Sequence, residues 1–213
     1  MPGSLSPFQL EVLHGFFEKE GGFFLTGGGA LVGFHLHHRH TDDLDLFTTS
    51  ADAFERGKHV LAALASDLGA ELQARVESAG FRRYALRRGA DLVVVDTVLD
   101  RTPQVVADKP LVDGIAVDPP SEILVNKLAA LVGRAEERDI IDVYELEKSG
   151  LRVDDALAPA LRKDGGATPA NLAWLLSQIT IPDDAKLAGD VPPRELARYI
   201  DDLVARLRRL ARP

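Results

Sequence analysis

The sequence predicts an α+β protein, with a mixed or antiparallel sheet flanked by helices and then a helical C-terminal region. Three observations predict it. Short apolar segments bounded by glycine and turn residues recur up to about residue 118. The connections 78–80 and 88–90 are short enough to make their flanking strands an antiparallel meander. After Pro119-Pro120 the apolar residues change to helical spacing. The expected division is therefore an α/β domain over 1–118 and a helical domain over 119–213.

Each element has a local reason. Ser6 and Pro7 suit an N-cap and first helical residue, and Phe8, Leu10, Val12, Leu13, Phe16 and Phe17 continue a helix to about Glu20. Gly21-Gly22 stops it, and Phe23 to Thr26 reads as a buried strand. Gly27-Gly28-Gly29 turns the chain into a short helix over 30–37. Leu44 to Phe47 reads as a strand, and Ser50 caps a helix from Ala51 to about Leu68. Strands are expected at 71–76, 81–86 and 91–98, with a short one near 115–117. Helices follow at about 121–131, 137–148, 154–161, 169–176 and 193–210.

Bulk properties narrow the function. The net charge is −8, with 33 acidic against 25 basic residues, which disfavours a generic nucleic-acid coat or a membrane-surface protein. The absence of cysteine removes disulfides, thiolate zinc sites and cysteine nucleophiles. No apolar run approaches the ~20 residues needed to span a bilayer. The start, MPGSLSPFQLEVL, lacks the basic and apolar regions of a secretory signal, so a cytoplasmic enzyme without a membrane partner is expected.

The informative segment is Thr41-Asp42-Asp43-Leu44-Asp45-Leu46-Phe47. Strand alternation puts the Asp43 and Asp45 carboxylates on one face and Leu44 and Leu46 on the other. Adjacent like charges are costly without a cation. Mg²⁺ takes hard oxygen ligands, often one or two carboxylates plus substrate phosphates. Asp96, alone in the apolar run 92–98, supplies a third carboxylate if its strand lies beside the first, and would then complete a two-metal site or take the proton of an attacking hydroxyl. Gly27, Gly28 and Gly29, leading from strand to helix, offer backbone N–H groups to phosphate. Arg39 is a further phosphate candidate because its guanidinium can fork onto two oxygens. The alternatives are a solvated acidic turn, a plain glycine turn, and a structural bridge from Asp96 to Arg83 or Arg87.

The segments Gly27 to Leu31 and Arg39 to Phe47 resemble the first motif of the AbiEii/AbiGii toxin family. That family, with the MenT-like toxins, belongs to the DNA polymerase β-like nucleotidyltransferase superfamily. Glu122, Lys127, Ala130-Leu131, Arg134 and Arg138 to Leu146 resemble its second block, so the similarity covers roughly 22–147. The resemblance implies a nucleotidyltransferase fold and a transfer of NMP from an NTP to an acceptor hydroxyl. It implies metal on Asp43 and Asp45, Asp96 as third carboxylate, Lys127 at the triphosphate, and Asp142 as the acid of the last motif. The cofactor would be Mg²⁺, two ions, with Mn²⁺ as a substitute. The partners would be the NTP, tRNA or another RNA acceptor, and a cognate antitoxin of a type IV-like toxin–antitoxin system. One departure is Gly29, where the family usually carries Ser or Thr. The missing hydroxyl keeps a non-catalytic nucleotide- or partner-binding module as an alternative, beside an antibiotic-type small-molecule nucleotidyltransferase.

Other features have milder readings. His35, His37, His38 and His40 match no common metal spacing and are expected as a polar helix end. Arg82, Arg83, Arg87 and Arg88 suit either a charged sheet edge or a track for an RNA backbone. Arg206, Arg208, Arg209 and Arg212 suit the negative end of a helix dipole, and Trp174 is expected in the core.

Overall fold

The computed structural model describes residues 5–212. They form two compact units, one of residues 5–101 and 106–119, the other of 102–105 and 120–212.

The first unit opens with helix α1 (Pro7–Lys19). Ser6 Oγ accepts from the Gln9 backbone N–H at 3.1 Å and the Gln9 side chain accepts from the Ser6 N–H at 2.7 Å. This reciprocal pair satisfies two backbone donors left over at the helix start. Strand β1 (Phe24–Thr26) runs directly into the short helix α2 (Gly27–Ala30), which continues as a π-type turn over Leu31–His35. The glycines were expected as a turn before the helix; instead they form its first turn. Gly27 makes this change of direction with φ +62°, a conformation that costs glycine little.

Strand β2 (Asp43–Thr48) follows, then helix α3 (Ala51–Asp67), capped by Ser50, whose hydroxyl accepts from the Ala53 N–H. Strands β3 (Glu71–Glu77), β4 (Phe81–Arg88) and β5 (Asp91–Leu99) form the expected antiparallel meander. The sheet order is β1-β2-β5-β4-β3, with β2 and β5 parallel and the other pairs antiparallel. Strands β6 (Leu111–Val112) and β7 (Ile115–Ala116) make a separate small hairpin. Helices α1 and α3 pack on the sheet. Its core-facing side carries Leu44, Leu46, Leu86, Val93 and Val95, all fully buried.

Placement of β4 inside the sheet overturns both expectations for its arginines. β4 is not an edge, because β3 lies outside it. Arg82 is buried and donates to the Phe54 carbonyl and the Glu55 carboxylate, with its guanidinium over the Phe54 ring. Arg88 forks onto Glu11 and covers the Phe8 ring. Alternation sends Arg82 and Arg88 to the opposite face from Arg83 and Arg87, so the four do not form one basic track.

The second unit is helical: α4 (Pro120–Gly133), α5 (Glu137–Lys148), α6 (Val153–Lys163), α7 (Pro169–Leu176) and α8 (Pro193–Leu210). Its core includes Ile123, Leu128, Ile141, Leu172, Leu196 and Leu203. Fully buried Glu122 pairs with Lys163 at 2.6 Å and accepts from the Val105 N–H, which ties the 102–105 segment to α4. Trp174 is 59% exposed, against expectation, because α7 turns Leu172, Ala173 and Leu176 inward and leaves its indole on the other side. Arg206 is held by more than a helix dipole, since it pairs with Glu147 at 2.5 Å and Asp154 at 3.2 Å. No helix is long and apolar enough to cross a membrane.

Candidate active site

Strand register assembles the acidic residues. Thr26 on β1 lies opposite Asp45 on β2, Asp45 opposite Asp96 on β5, and Asp96 opposite Arg83 on β4. Directly paired residues share a sheet face, so these side chains form one transverse row. Asp43, two residues before Asp45, projects from the same face beside Val94. Two residues along the strands, Phe24, Phe47, Val98 and Phe81 form a parallel apolar row.

Asp96 is 4% exposed and gives both carboxylate oxygens to Arg83, at 2.7 Å to Nε and 2.5 Å to Nη2. This two-pronged contact offsets the desolvation of a nearly buried carboxylate. The contact with Asp96 is the main influence raising the Arg83 pKa above its ordinary value; burial opposes it, and Asp43 and Asp45 add to it. Thr41 Oγ1 donates to Asp43 Oδ1 at 3.0 Å, and the Thr41 carbonyl accepts from Gln9 Nε2 at 2.9 Å. The loop before β2 is thereby fastened to α1.

The glycine helix lies against this row. A Cβ added at Gly27 would fall 2.2 Å from Asp45 Oδ2, so only glycine allows the Asp45 carboxylate to rest there. At Gly28 an added Cβ would meet Arg39 Nη2 at 2.6 Å. Arg39, 3% exposed, donates from Nη1 to the His40 carbonyl at 2.9 Å. Position 29 faces elsewhere: its Cβ would point at Leu25 and Leu44 side chains and the Asp43 carbonyl, at 3.3–3.5 Å. His35 Nε2 donates to the Asp118 carbonyl at 2.8 Å and His37 Nδ1 to the Val32 carbonyl at 2.6 Å, so these two rings fasten backbone.

The donor set suits a hard divalent cation in a particular way. Asp43 and Asp45 present carboxylates from one face, as Mg²⁺ bound with a nucleotide requires. Both Asp96 oxygens are engaged by Arg83. Among the described residues no three His, Cys, Asp or Glu side chains are gathered closely enough to hold a metal ion by themselves. Asp43 and Asp45 alone would supply protein ligands from this face, fewer than the full octahedral shell of oxygens that Mg²⁺ takes.

In the second unit, Lys127 Nζ lies 2.7 Å from Asp139 Oδ1 and 2.6 Å from Asp142 Oδ2, and all three side chains are nearly buried. Burial alone would lower the lysine pKa, but Asp142 and Asp139 outweigh it and hold it above its ordinary value. Arg134 Nε adds a 3.3 Å contact to Asp139 Oδ2. Asp139 is thus as close a partner of Lys127 as Asp142.

Sequence reasoning missed two features. Thr26 enters the row through pairing between strands, which no local pattern encodes. Lys109 and Asp118 form a buried 2.8 Å ion pair, with the lysine 4.5 Å from the Phe24 ring centroid. Its signal in the sequence is slight, two charged residues flanking a short hairpin.

Comparisons with known proteins agree with this architecture. The profile of the nucleotidyl transferase AbiEii toxin family, described as a type IV toxin–antitoxin system, matches residues 12–209. No curated protein gives a match. An H. pylori protein classed as a candidate nucleotidyltransferase has a similar structure, with TM-score 0.60 and 16% identity, covering 97% of both chains. JHP933 from Helicobacter pylori gives 0.59 and 19%, covering 98% of this chain and 95% of its own. MenT4, a nucleotidyltransferase toxin from Mycobacterium tuberculosis, gives 0.52 and 13%, covering 96% and 80%. At these identities the three structures show a shared fold.

Proposed function

We propose that this chain, which belongs to the AbiEii nucleotidyltransferase toxin family, moves a nucleoside monophosphate from an NTP to an acceptor hydroxyl and releases pyrophosphate. The observation that carries the proposal is the pairing of Asp45 with Asp96 across β2 and β5, with Asp43 on the same face. Three carboxylates on one sheet face, beside a glycine helix, are the groups that such a transfer needs.

In this reading Asp43 and Asp45 bind Mg²⁺, or Mn²⁺ in its place, and Asp96 completes a two-ion site. The bound ions supply charge neutralisation at the transferring phosphate and lower the pKa of the attacking hydroxyl. Asp96 orients the acceptor hydroxyl and takes its proton. Backbone N–H groups of Gly28 and Gly29, with Arg39 behind them, receive phosphate oxygens. Lys127 is the proposed triphosphate contact, positioned by Asp139 and Asp142, which together take two of its ammonium donors. In the same reading the first unit is the transferase domain and the second the helical domain.

Family membership supports an antitoxin partner and an NTP substrate; the acceptor hydroxyl in this reading belongs to an RNA, tRNA included. Calorimetric titration with Mg²⁺ and each NTP tests the site: binding of at least one NTP that requires the metal is expected, and no binding in any combination sinks the reading. Incubation with labelled NTPs, total RNA and small-molecule extracts then identifies the acceptor. Label on RNA supports the toxin reading, and label on a small acceptor alone rejects it. The bidentate engagement of Asp96 by Arg83 favours one second reading, a nucleotide-binding module without turnover. NTP binding with no transfer to any acceptor would select it.

A further inference from the structure

The Asp43–Asp45–Asp96 cluster contains its own cation. Arg83 is bound through two contacts to the most buried of the three carboxylates, and its side chain remains 44% exposed while that of Asp96 is 6% exposed. It stands directly opposite Asp96 in the β4–β5 register, in the same row as Asp45. The guanidinium lies 5.7 Å from the Phe81 ring centroid, over a ring that belongs to the neighbouring apolar row. The ring flanks the guanidinium in the same position in which it engages Asp96. A metal ion approaching Asp96 would meet both of its oxygens already taken.

We propose that Arg83 is a built-in counter-cation that occupies the third-carboxylate position and yields Asp96 when a divalent ion enters. The inference rests on the metal-binding reading above. Before loading, Arg83 prevents Asp43, Asp45 and Asp96 from repelling one another across paired strands. On loading, a divalent ion takes over that task, and Arg83 moves outward to the solvent side of the sheet or to a phosphate oxygen. The arginine sets how tightly the site takes its metal. Arg83 is in this sense a positioning residue for Asp96, and its removal should tighten metal binding, whereas loss of a purely structural bridge would weaken it.

The test uses the full chain with Mn²⁺ and Mg²⁺ as probes, without nucleotide and with a non-hydrolysable NTP analogue. Calorimetry and thermal melting in chelator or in metal are read for the wild type, Arg83→Met, Arg83→Gln and Arg83→Lys. Wild-type melting should depend weakly on chelator. Arg83→Met and Arg83→Gln should bind Mn²⁺ about tenfold more tightly or better. They should also melt lower in chelator and recover when Mn²⁺ is restored. Arg83→Lys, which keeps the charge, should stay near the wild type. Adding Asp96→Asn to Arg83→Gln should remove the metal-dependent recovery. Unchanged or weaker metal affinity in Arg83→Gln overturns the inference while leaving the metal-binding reading intact. If neither the wild type nor the variants bind metal with or without the analogue, both fall. If Arg83→Met fails to fold even with metal, Arg83→Gln decides, because its amide can still donate to Asp96 without carrying charge.

Discussion

Asp45 and Asp96 are direct neighbours across the parallel pairing of β2 and β5, although β5 follows β2 in sequence only after a helix and two strands. A parallel pair requires such a crossover, and here the crossover also delivers β4, which carries Arg83 to the other side of Asp96. One topological choice therefore builds the acidic row and its counter-cation together.

With Asp43 and Asp45 as the proposed metal ligands, Asp45→Asn and Asp43→Asn should each lower nucleotidyl transfer by about 100-fold or more, because each would remove a charge from the site of the reacting phosphate. Both variants should still fold and melt within a few degrees of the wild type, since the amide keeps the shape of the carboxylate and, at position 43, can still accept from Thr41 Oγ1. Single-turnover transfer assays beside thermal melts check both halves. A variant that loses activity only through unfolding would contradict the assignment.

Lys127→Met leaves Asp139 and Asp142 buried together without their shared cation. A loss of about 3–5 kcal/mol in folding stability is expected at neutral pH. The folded lysine pKa is raised. The stabilisation from its charge is therefore fully present below about pH 10.4 and is lost as pH rises through the folded value. Denaturant melts of both proteins from pH 7 upward should show the gap narrowing only on the alkaline side.

The glycines should differ sharply. Gly27→Ala combines φ +62° with a 2.2 Å clash on Asp45 Oδ2, and should displace that carboxylate and abolish metal-dependent nucleotide binding. Gly29→Ser places its Cβ 3.3 Å from Leu25 Cδ1 and 3.5 Å from the Asp43 carbonyl, and it should fold. The new hydroxyl would donate to that carbonyl, so NTP affinity should change by less than about threefold. Calorimetry on both variants checks this. A large gain in Gly29→Ser would mean that the hydroxyl reaches phosphate.

Glu20 provides an acid-side test. The paired Arg56 guanidinium chiefly, with help from the Gly22 N–H and against the effect of burial, holds its pKa below the usual carboxylate value. A depressed folded value contributes stability above the unfolded pKa of about 4.3, and that contribution is lost as pH falls through the folded value. Glu20→Gln should therefore be less stable than the wild type at pH 7, and the two should converge below about pH 4. Urea melts across that range check the sign.

Local chemistry made much of the fold legible. Ser6-Pro7 and Ser50 act as helix starts, the meander over β3–β5 follows from its short turns, and Asp43 and Asp45 do share a face. What stayed hidden depends on partners distant in the chain. Arg83 and Arg87 lie on one face of β4, and only the register with β5 gives Asp96 to Arg83. Trp174 shows the same limit, because an apolar helix of eight residues does not announce which side meets its neighbours. Lys127 could be placed on a helix, but its enclosure by Asp139 and Asp142 required α4 and α5 to pack.

The most direct test of nucleotidyl transfer is pyrophosphate release from each NTP, measured with Mg²⁺ and total RNA, in the wild type and in Asp45→Asn. Release matched by label on RNA, and absent from Asp45→Asn, is the predicted result. No release from any NTP, or equal release by both proteins, would contradict an active site built on Asp43, Asp45 and Asp96.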